Sequence, residues 1–263
     1  MVDTSISSTS PSVPESRGTV LVVGSTGSVG RHVVAEAVRQ GYTTRALVRD
    51  VSRAGKLAGD AQKVVGDLTD AATLTEAVDG IDAVVFTQGS SYGDANAAEA
   101  VDYGAVKNVL EALGGRPARI ALMTAIGVTR RGGTHDWKRR GERLVRASGN
   151  AYTIVRPGWF DYNDKDELEI TFLQGDTRHA GSPADGVIAR HQIARVLVDS
   201  IDSEAADHVT LELVAERGAE QTDLEPVFAA LEKDPAGTLD GVHDQDNMSQ
   251  EAEPARVLAD LQK

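Results

Sequence analysis

The chain has no cysteine, which excludes disulfides, thiolate-bound metals and cysteine nucleophiles and fits a reducing compartment. Long apolar runs are missing too. None approaches the ~18 residues of a spanning helix, and no charged start followed by a hydrophobic stretch marks the N-terminus. These absences predict a cytoplasmic protein with no membrane partner. Basic residues are outnumbered, 27 against 40 acidic ones, which argues against nucleic acid, because phosphate backbones reward lysine and arginine. The deficit is uneven. Residues 1–158 carry 19 Lys and Arg against 16 Asp and Glu, and residues 159–263 carry 8 against 24. A slightly basic part suited to an anionic ligand thus precedes an acidic part that reads as solvated surface.

What is present is densest at Val20-Leu21-Val22-Val23-Gly24-Ser25-Thr26-Gly27-Ser28-Val29-Gly30-Arg31. A β-branched run suited to a buried strand leads into glycines spaced G-x-x-G-x-x-G. Val29, Val33, Val34, Ala37 and Val38 then follow helical spacing. This predicts a phosphate cradle: Gly24 for the tight turn, Gly27 for approach of a pyrophosphate, Gly30 for close helix–strand packing. The helix amides and dipole would face the anion. Glycine spacing alone is common to ordinary turns; the flanking strand and helix distinguish this one.

Residues 1–17, rich in Ser, Thr and Pro, predict a disordered leader. Strand-like runs at 19–23, 43–48, 62–65, 83–86, 119–123 and 152–155 alternate with helical patterns at 29–40, 73–78, 97–113 and 137–148. The rhythm predicts an α/β fold, a Rossmann-type doubly wound parallel sheet, with residues 18–233 as one NAD(P)-binding domain. Strands at 169–173 and 209–214 around a helix at 191–201, with a helix at 224–231, predict a small C-terminal cap on the substrate side from about residue 157. Residues 234–263 form an acidic C-terminal extension, expected to loop over the surface through 250 before a last helix at 254–261.

A second-strand carboxylate would hold an adenosine ribose, but in Val48-Arg49-Asp50-Val51-Ser52-Arg53 an arginine takes that place. Arg49, Ser52 and Arg53 can grip a 2′-phosphate, so NADP is expected over NAD. The alternatives are a solvated turn, or Asp50 reaching the ribose. In Gly66-Asp67-Leu68, the Asp67 carboxylate and Leu68 amide are candidates for the adenine, with a helix cap as the other reading of Asp67. Thr87, Gln88 and Gly89, after the fourth strand, offer small and polar groups for the nicotinamide ribose. Ser25 in the turn and Pro157 after the sixth strand complete the candidate cofactor contacts.

With Val101-Asp102-Tyr103 and Tyr152-Thr153-Ile154-Val155-Arg156-Pro157-Gly158, these motifs resemble the atypical short-chain dehydrogenase/reductases over about residues 19–215. Within that group the chain is similar to the NAD(P)H-binding branch of NmrA-like and biliverdin reductase B-like proteins. The resemblance implies NADP binding through Gly24, Thr26, Gly27, Ser28, Val29, Gly30, Arg49, Ser52, Arg53, Asp67 and Leu68. It also implies a catalytic Ser after the fifth strand and a Tyr four residues before a Lys. Here Thr124 stands in the Ser segment, Lys138 aligns with the Lys, and Thr134 replaces the Tyr.

A threonine hydroxyl cannot supply a phenol's acidity, so the usual proton donor is missing. His135 is the candidate substitute, Thr124 would contact substrate or nicotinamide, and Lys138 would orient the nicotinamide ribose. Trp137, Trp159 and Phe160 are candidates for a stacking wall, with core packing the equal alternative. His179, His191 and His208 lack ligand spacing, and Asp161, Asp164, Asp166 and Glu167 lack the order of a calcium loop, so no metal is expected. The expected function is an NADP(H)-dependent oxidoreductase passing hydride to a small carbonyl, quinone or flavin-like acceptor. The alternative is a nonenzymatic NADP(H)-binding redox sensor. Epimerase or dehydratase chemistry is set aside, because the Tyr-Lys pair and a larger substrate domain are lacking. A monomer or small homo-oligomer acting on a small-molecule substrate is expected.

Overall fold

The computed structural model describes residues 17–55, 57–90 and 94–262, so all but the last residue of the expected leader lies outside them. That last residue is tied down: the Arg17 amide donates to the Gly41 carbonyl at 3.4 Å and its guanidinium pairs with Asp202 at 2.5 Å.

Six strands run parallel in the order β3-β2-β1-β4-β5-β6: β1 (Thr19–Val23), β2 (Thr43–Val48), β3 (Gln62–Val65), β4 (Ala83–Phe86), β5 (Arg119–Met123) and β6 (Tyr152–Pro157). Beyond Pro157 the chain extends the same sheet through β7 (Trp159–Phe160), β8 (Glu169–Leu173), β9 (Val187–Ile188) and β10 (Val209–Glu216). β10 lies parallel to β6, and β8 and β9 join it antiparallel.

Alternation along β1 shows why both faces are covered. Val20 and Val22 point into one core with Val33, Val34 and Ala37 of α1 (Gly30–Arg39). Leu21 and Val23 point into the other. A fully buried strand needs helices on both sides, and the crossovers supply them.

The sequence pattern predicts one helix over 97–113; the structure divides it into α2 (Ala95–Ala98), a π-helical turn over Glu99–Gly104, and α3 (Ala105–Leu113). The wider turn lets two consecutive residues, Asp102 and Tyr103, both face inward, onto different partners. The pattern at 73–78 is realised as a single 3₁₀ turn, Ala71–Leu74. α4 spans Gly133–Ala147, starting four residues earlier than expected. Asp136 anchors that start, accepting from the Gly132 amide at 3.1 Å and bonding Arg131 at 2.9 Å. The remaining helices are α5 (Arg190–Asp202), α6 (Glu225–Ala229) and α7 (Ala255–Asp260). Among the described residues no helix is long and apolar enough to cross a membrane.

Candidate functional site

β1 and β4 are neighbours, and the helices that follow them cover opposite faces, which opens a crevice at their carboxyl ends. The glycine turn sits there. Gly24 has φ +78°, and a Cβ on it would lie 2.7 Å from the Gln88 amide nitrogen. On Gly30 a Cβ would lie 2.1 Å from the Gly24 carbonyl oxygen. Both positions therefore demand glycine for packing alone. Gly27 differs, since its Cβ would meet only the Gly24 oxygen, at 3.0 Å, and the rest of its surroundings are open to an approaching group. Thr26 and Ser28 are exposed beside it.

Two polar residues assigned to the cofactor are instead used inside the fold. The buried Ser25 hydroxyl donates to the Leu47 carbonyl at 2.6 Å, tying the turn to β2, and Thr87 Oγ1 donates to the Val23 carbonyl at 2.8 Å, tying β4 to β1. The Val29 side chain lies in the core, which leaves only its backbone at the turn. Gln88 behaves otherwise. It is 8% exposed, and among the described residues its buried Oε1 has no hydrogen-bond partner, a costly arrangement that a ligand donor would relieve.

At the end of β2, Asp50 caps a 3₁₀ turn over Val51–Ala54, accepting from the Ser52 amide at 2.8 Å and the Ser52 hydroxyl at 2.7 Å. The Ser52 proton expected on a 2′-phosphate is thus held by Asp50, and the Asp50 carboxylate is occupied as a cap. Arg49 is exposed, and its charge is felt at Asp67. The Arg53 side chain lies outside the described structure. Asp67 does not cap the next helical turn, Ala71–Leu74, which Asp70 caps by accepting from the Ala72 amide at 3.0 Å; Asp67 accepts from the Thr69 amide at 2.9 Å, which with the Thr69 hydroxyl holds its carboxyl below its ordinary value. The Leu68 carbonyl accepts from Asn108 at 2.7 Å.

Lys138 projects from α4 to the loop after β4; its Nζ lies 3.8 Å from where a Gly89 Cβ would stand. It pairs there with the buried Asp102 at 2.6 Å, a contact the motif reading missed. A signal was present: Asp102 interrupts the helical stripe Ala98, Val106, Val109, where a buried acid needs a partner. Thr124 Oγ1 donates to Glu142 at 2.7 Å, so its proton is directed into the core. His135, one turn before Lys138, has Nδ1 3.3 Å from the Arg130 carbonyl.

The expected stacking wall does not assemble. Trp137 is buried against Tyr103, with the Arg140 and Arg256 guanidinium carbons 4.3 and 5.3 Å from its ring centre; burial of its apolar ring is the reason. Trp159 lies apart, 37% exposed and edge-on to Tyr162 at 6.1 Å. Phe160 packs beneath Arg190. Partial burial holds the His32 imidazole, in the first turn of α1, below its ordinary value, and the charges of Arg190 and Asp161 act on it in opposite senses. Three of the four acids of this region pair with arginines, Asp161 with Arg190 and Asp164 and Asp166 with Arg217, while Glu167 accepts from the Asp164 amide. Among the described residues no cluster of metal-ligating side chains occurs.

The acidic extension is no solvated loop. Arg139, Arg143 and Arg146 recur at helical spacing on α4 and are buried. Residues 234–253 lie across them: Asp240 holds Arg139 at 2.8 Å and Arg143 at 2.6 Å, Glu253 holds Arg143 at 3.2 Å, and Asp234 holds Arg146 at 3.3 Å. Asp244 makes two 2.7 Å bonds to Arg156, which also holds Glu142. Charge counting missed this because it cannot distinguish a solvated carboxylate from one folded onto a buried guanidinium. Asn247 donates to the Thr129 carbonyl at 3.1 Å, so the strap also reaches the loop between β5 and α4.

Residues 24–204 match the family described as NAD(P)H-binding, and the chain belongs to it. Among curated relatives, Protein TIC 62 of Pisum sativum is 27% identical over 86% of this chain, which spans about half (49%) of that protein's length. Among solved structures, a Bacillus halodurans protein provisionally named an NAD-dependent epimerase/dehydratase superposes with a TM-score of 0.68 at 24% identity, covering 81% of this chain and all of its own. An NADPH-dependent quinone oxidoreductase from Escherichia coli, solved with NADPH, superposes with a TM-score of 0.56 at 20% identity over 75% of this chain and 71% of its own.

Proposed function

We propose that the chain binds NADP(H) and acts as an oxidoreductase toward a small quinone or flavin-like acceptor, in a reducing compartment such as the cytoplasm. The observation that carries the reading is the meeting, at one sheet end, of the open face of Gly27, the unpartnered Gln88 Oε1 and the Lys138 ammonium. Bound NADPH would supply a hydride. The exposed Arg49 favours a 2′-phosphate, and capping directs both Asp50 carboxylate oxygens toward Ser52. An acceptor ring needs no phenolic acid, whereas a carbonyl would want one where Thr134 stands. The exposed Trp159 and Tyr162, edge-on to each other at 6.1 Å, offer flat apolar rings to such an acceptor. The test is NADPH oxidation against a panel of quinones, flavins and aldehydes. Turnover with quinones or flavins supports the reading; consumption no faster than without protein refutes it.

One observation favours a second reading, a nonenzymatic NADP(H) sensor: Thr124 donates to Glu142 and Lys138 pairs with Asp102, so two candidate catalytic groups face the protein. Nucleotide affinity without turnover, with a protein partner whose binding follows the NADP to NADPH ratio, would support it.

A further inference from the structure

Asp102 has no role in the reading above, yet it is the most constrained carboxylate near the crevice. Its side chain is 2% exposed. The π-helical turn aims it at the end of β4, and α4 is shaped to meet it: a Cβ on Gly141 would lie 2.7 Å from the Asp102 carbonyl oxygen. That close approach sets the register in which Lys138, one turn earlier on α4, reaches the carboxylate. Asp102 Oδ1 accepts from Lys138 Nζ at 2.6 Å and from the Ser90 amide at 3.3 Å, and Oδ2 accepts from the Ser90 hydroxyl at 2.5 Å.

We propose that Asp102 is a positioning residue that orients Lys138 and Ser90 together as a grip for a vicinal diol, the ribose on the nicotinamide side of the dinucleotide. This rests on the NADP(H) reading and assigns that site's diol contact. The chemistry follows from donors and acceptors. An ammonium has three N–H donors, one of which Asp102 takes. A serine hydroxyl that donates to Asp102 turns its lone pairs away, so it accepts from a ligand. A donor beside an acceptor matches a diol, each of whose hydroxyls can both donate and accept. With its carboxylate fixed by two partners, Asp102 also compensates the lysine charge in place, which makes the pair a binding device.

The test compares two ligands on the full chain by titration calorimetry. NADPH carries the nicotinamide ribose; 2′,5′-ADP carries only the adenosine end. Asp102→Asn should weaken NADPH about tenfold and leave 2′,5′-ADP within about twofold. Ser90→Ala should show the same selective loss at about threefold, and it decides the matter should the first variant not fold. Unchanged NADPH affinity in the folded variants, or equal loss for both ligands, overturns the assignment of Asp102. Failure of the wild-type chain to bind either ligand would overturn the NADP(H) reading itself.

Discussion

Glu212→Gln should flatten the pH dependence of stability near neutrality. Glu212 is buried, 3.2 Å from Arg156 and accepting from the Asp176 amide at 3.0 Å. Burial pushes its carboxyl from the ordinary 4.5 up to about 7; the neighbouring Asp176 adds to the rise, while Arg156 opposes it. The folded state therefore holds this proton more tightly than the unfolded chain. Its contribution is fully present below the unfolded value and is lost as pH rises through about 7. A shift of that size corresponds to about 3 kcal/mol between about pH 4.5 and pH 8. Glutamine cannot ionise, so the variant loses that slope. It also loses one acceptor, a cost of about 1 kcal/mol at every pH; the slope, not the level, is the readout. Urea unfolding followed by tryptophan fluorescence across this range supplies both curves. Their difference removes groups common to both proteins, including His179 beside Asp176 and the Glu142 and Asp244 carboxylates on Arg156. Parallel curves would refute the reasoning.

Gly30→Ala places a methyl 2.1 Å from the Gly24 carbonyl oxygen, so it should destabilise the fold by about 1–3 kcal/mol and abolish measurable NADPH binding in calorimetry. Arg49→Glu should invert cofactor choice, lowering the ratio of NADPH to NADH affinity by about tenfold or more; an unchanged ratio in paired titrations removes Arg49 from the 2′-phosphate. Truncation after residue 233 strips Asp234, Asp240, Asp244 and Glu253 from four buried arginines. Breaking one such pair costs about 3–5 kcal/mol, and several exceed the about 5–15 kcal/mol of a typical domain. The truncated chain should lose its cooperative thermal transition by circular dichroism, whereas Asp246→Asn, at an exposed position, should melt as the full chain does.

β1, β4 and β5 were legible because each is a short β-branched or aliphatic run in a βα rhythm, and burial on both faces leaves such runs no other place, whereas β3, largely exposed at the sheet edge, was legible from the rhythm alone. The glycine turn was legible too, although the structure divides its glycines: Gly24 and Gly30 are required by packing, and Gly27 alone is left open to a ligand. What stayed hidden depends on pairing across long sequence separations. Arg143 and Asp240 are 97 residues apart, Lys138 and Asp102 are 36 apart, and helical spacing says which face a charge lies on without saying what meets it. The same gap explains Trp137, whose partners Tyr103 and Arg256 come from the π-helical turn and α7.

These pairings bear on function. The strap binds the outer face of α4 through its arginines, while Asp102 binds the end that reaches the crevice through Lys138. α4 is therefore clamped from both sides by the chain's own carboxylates, and the lysine it carries is held by Asp102. A site organised in this way loses little conformational freedom on binding. On the proposed NADP(H) reading this ordering favours nucleotide binding whether the nicotinamide reacts or only reports, because Lys138 holds the same place in both.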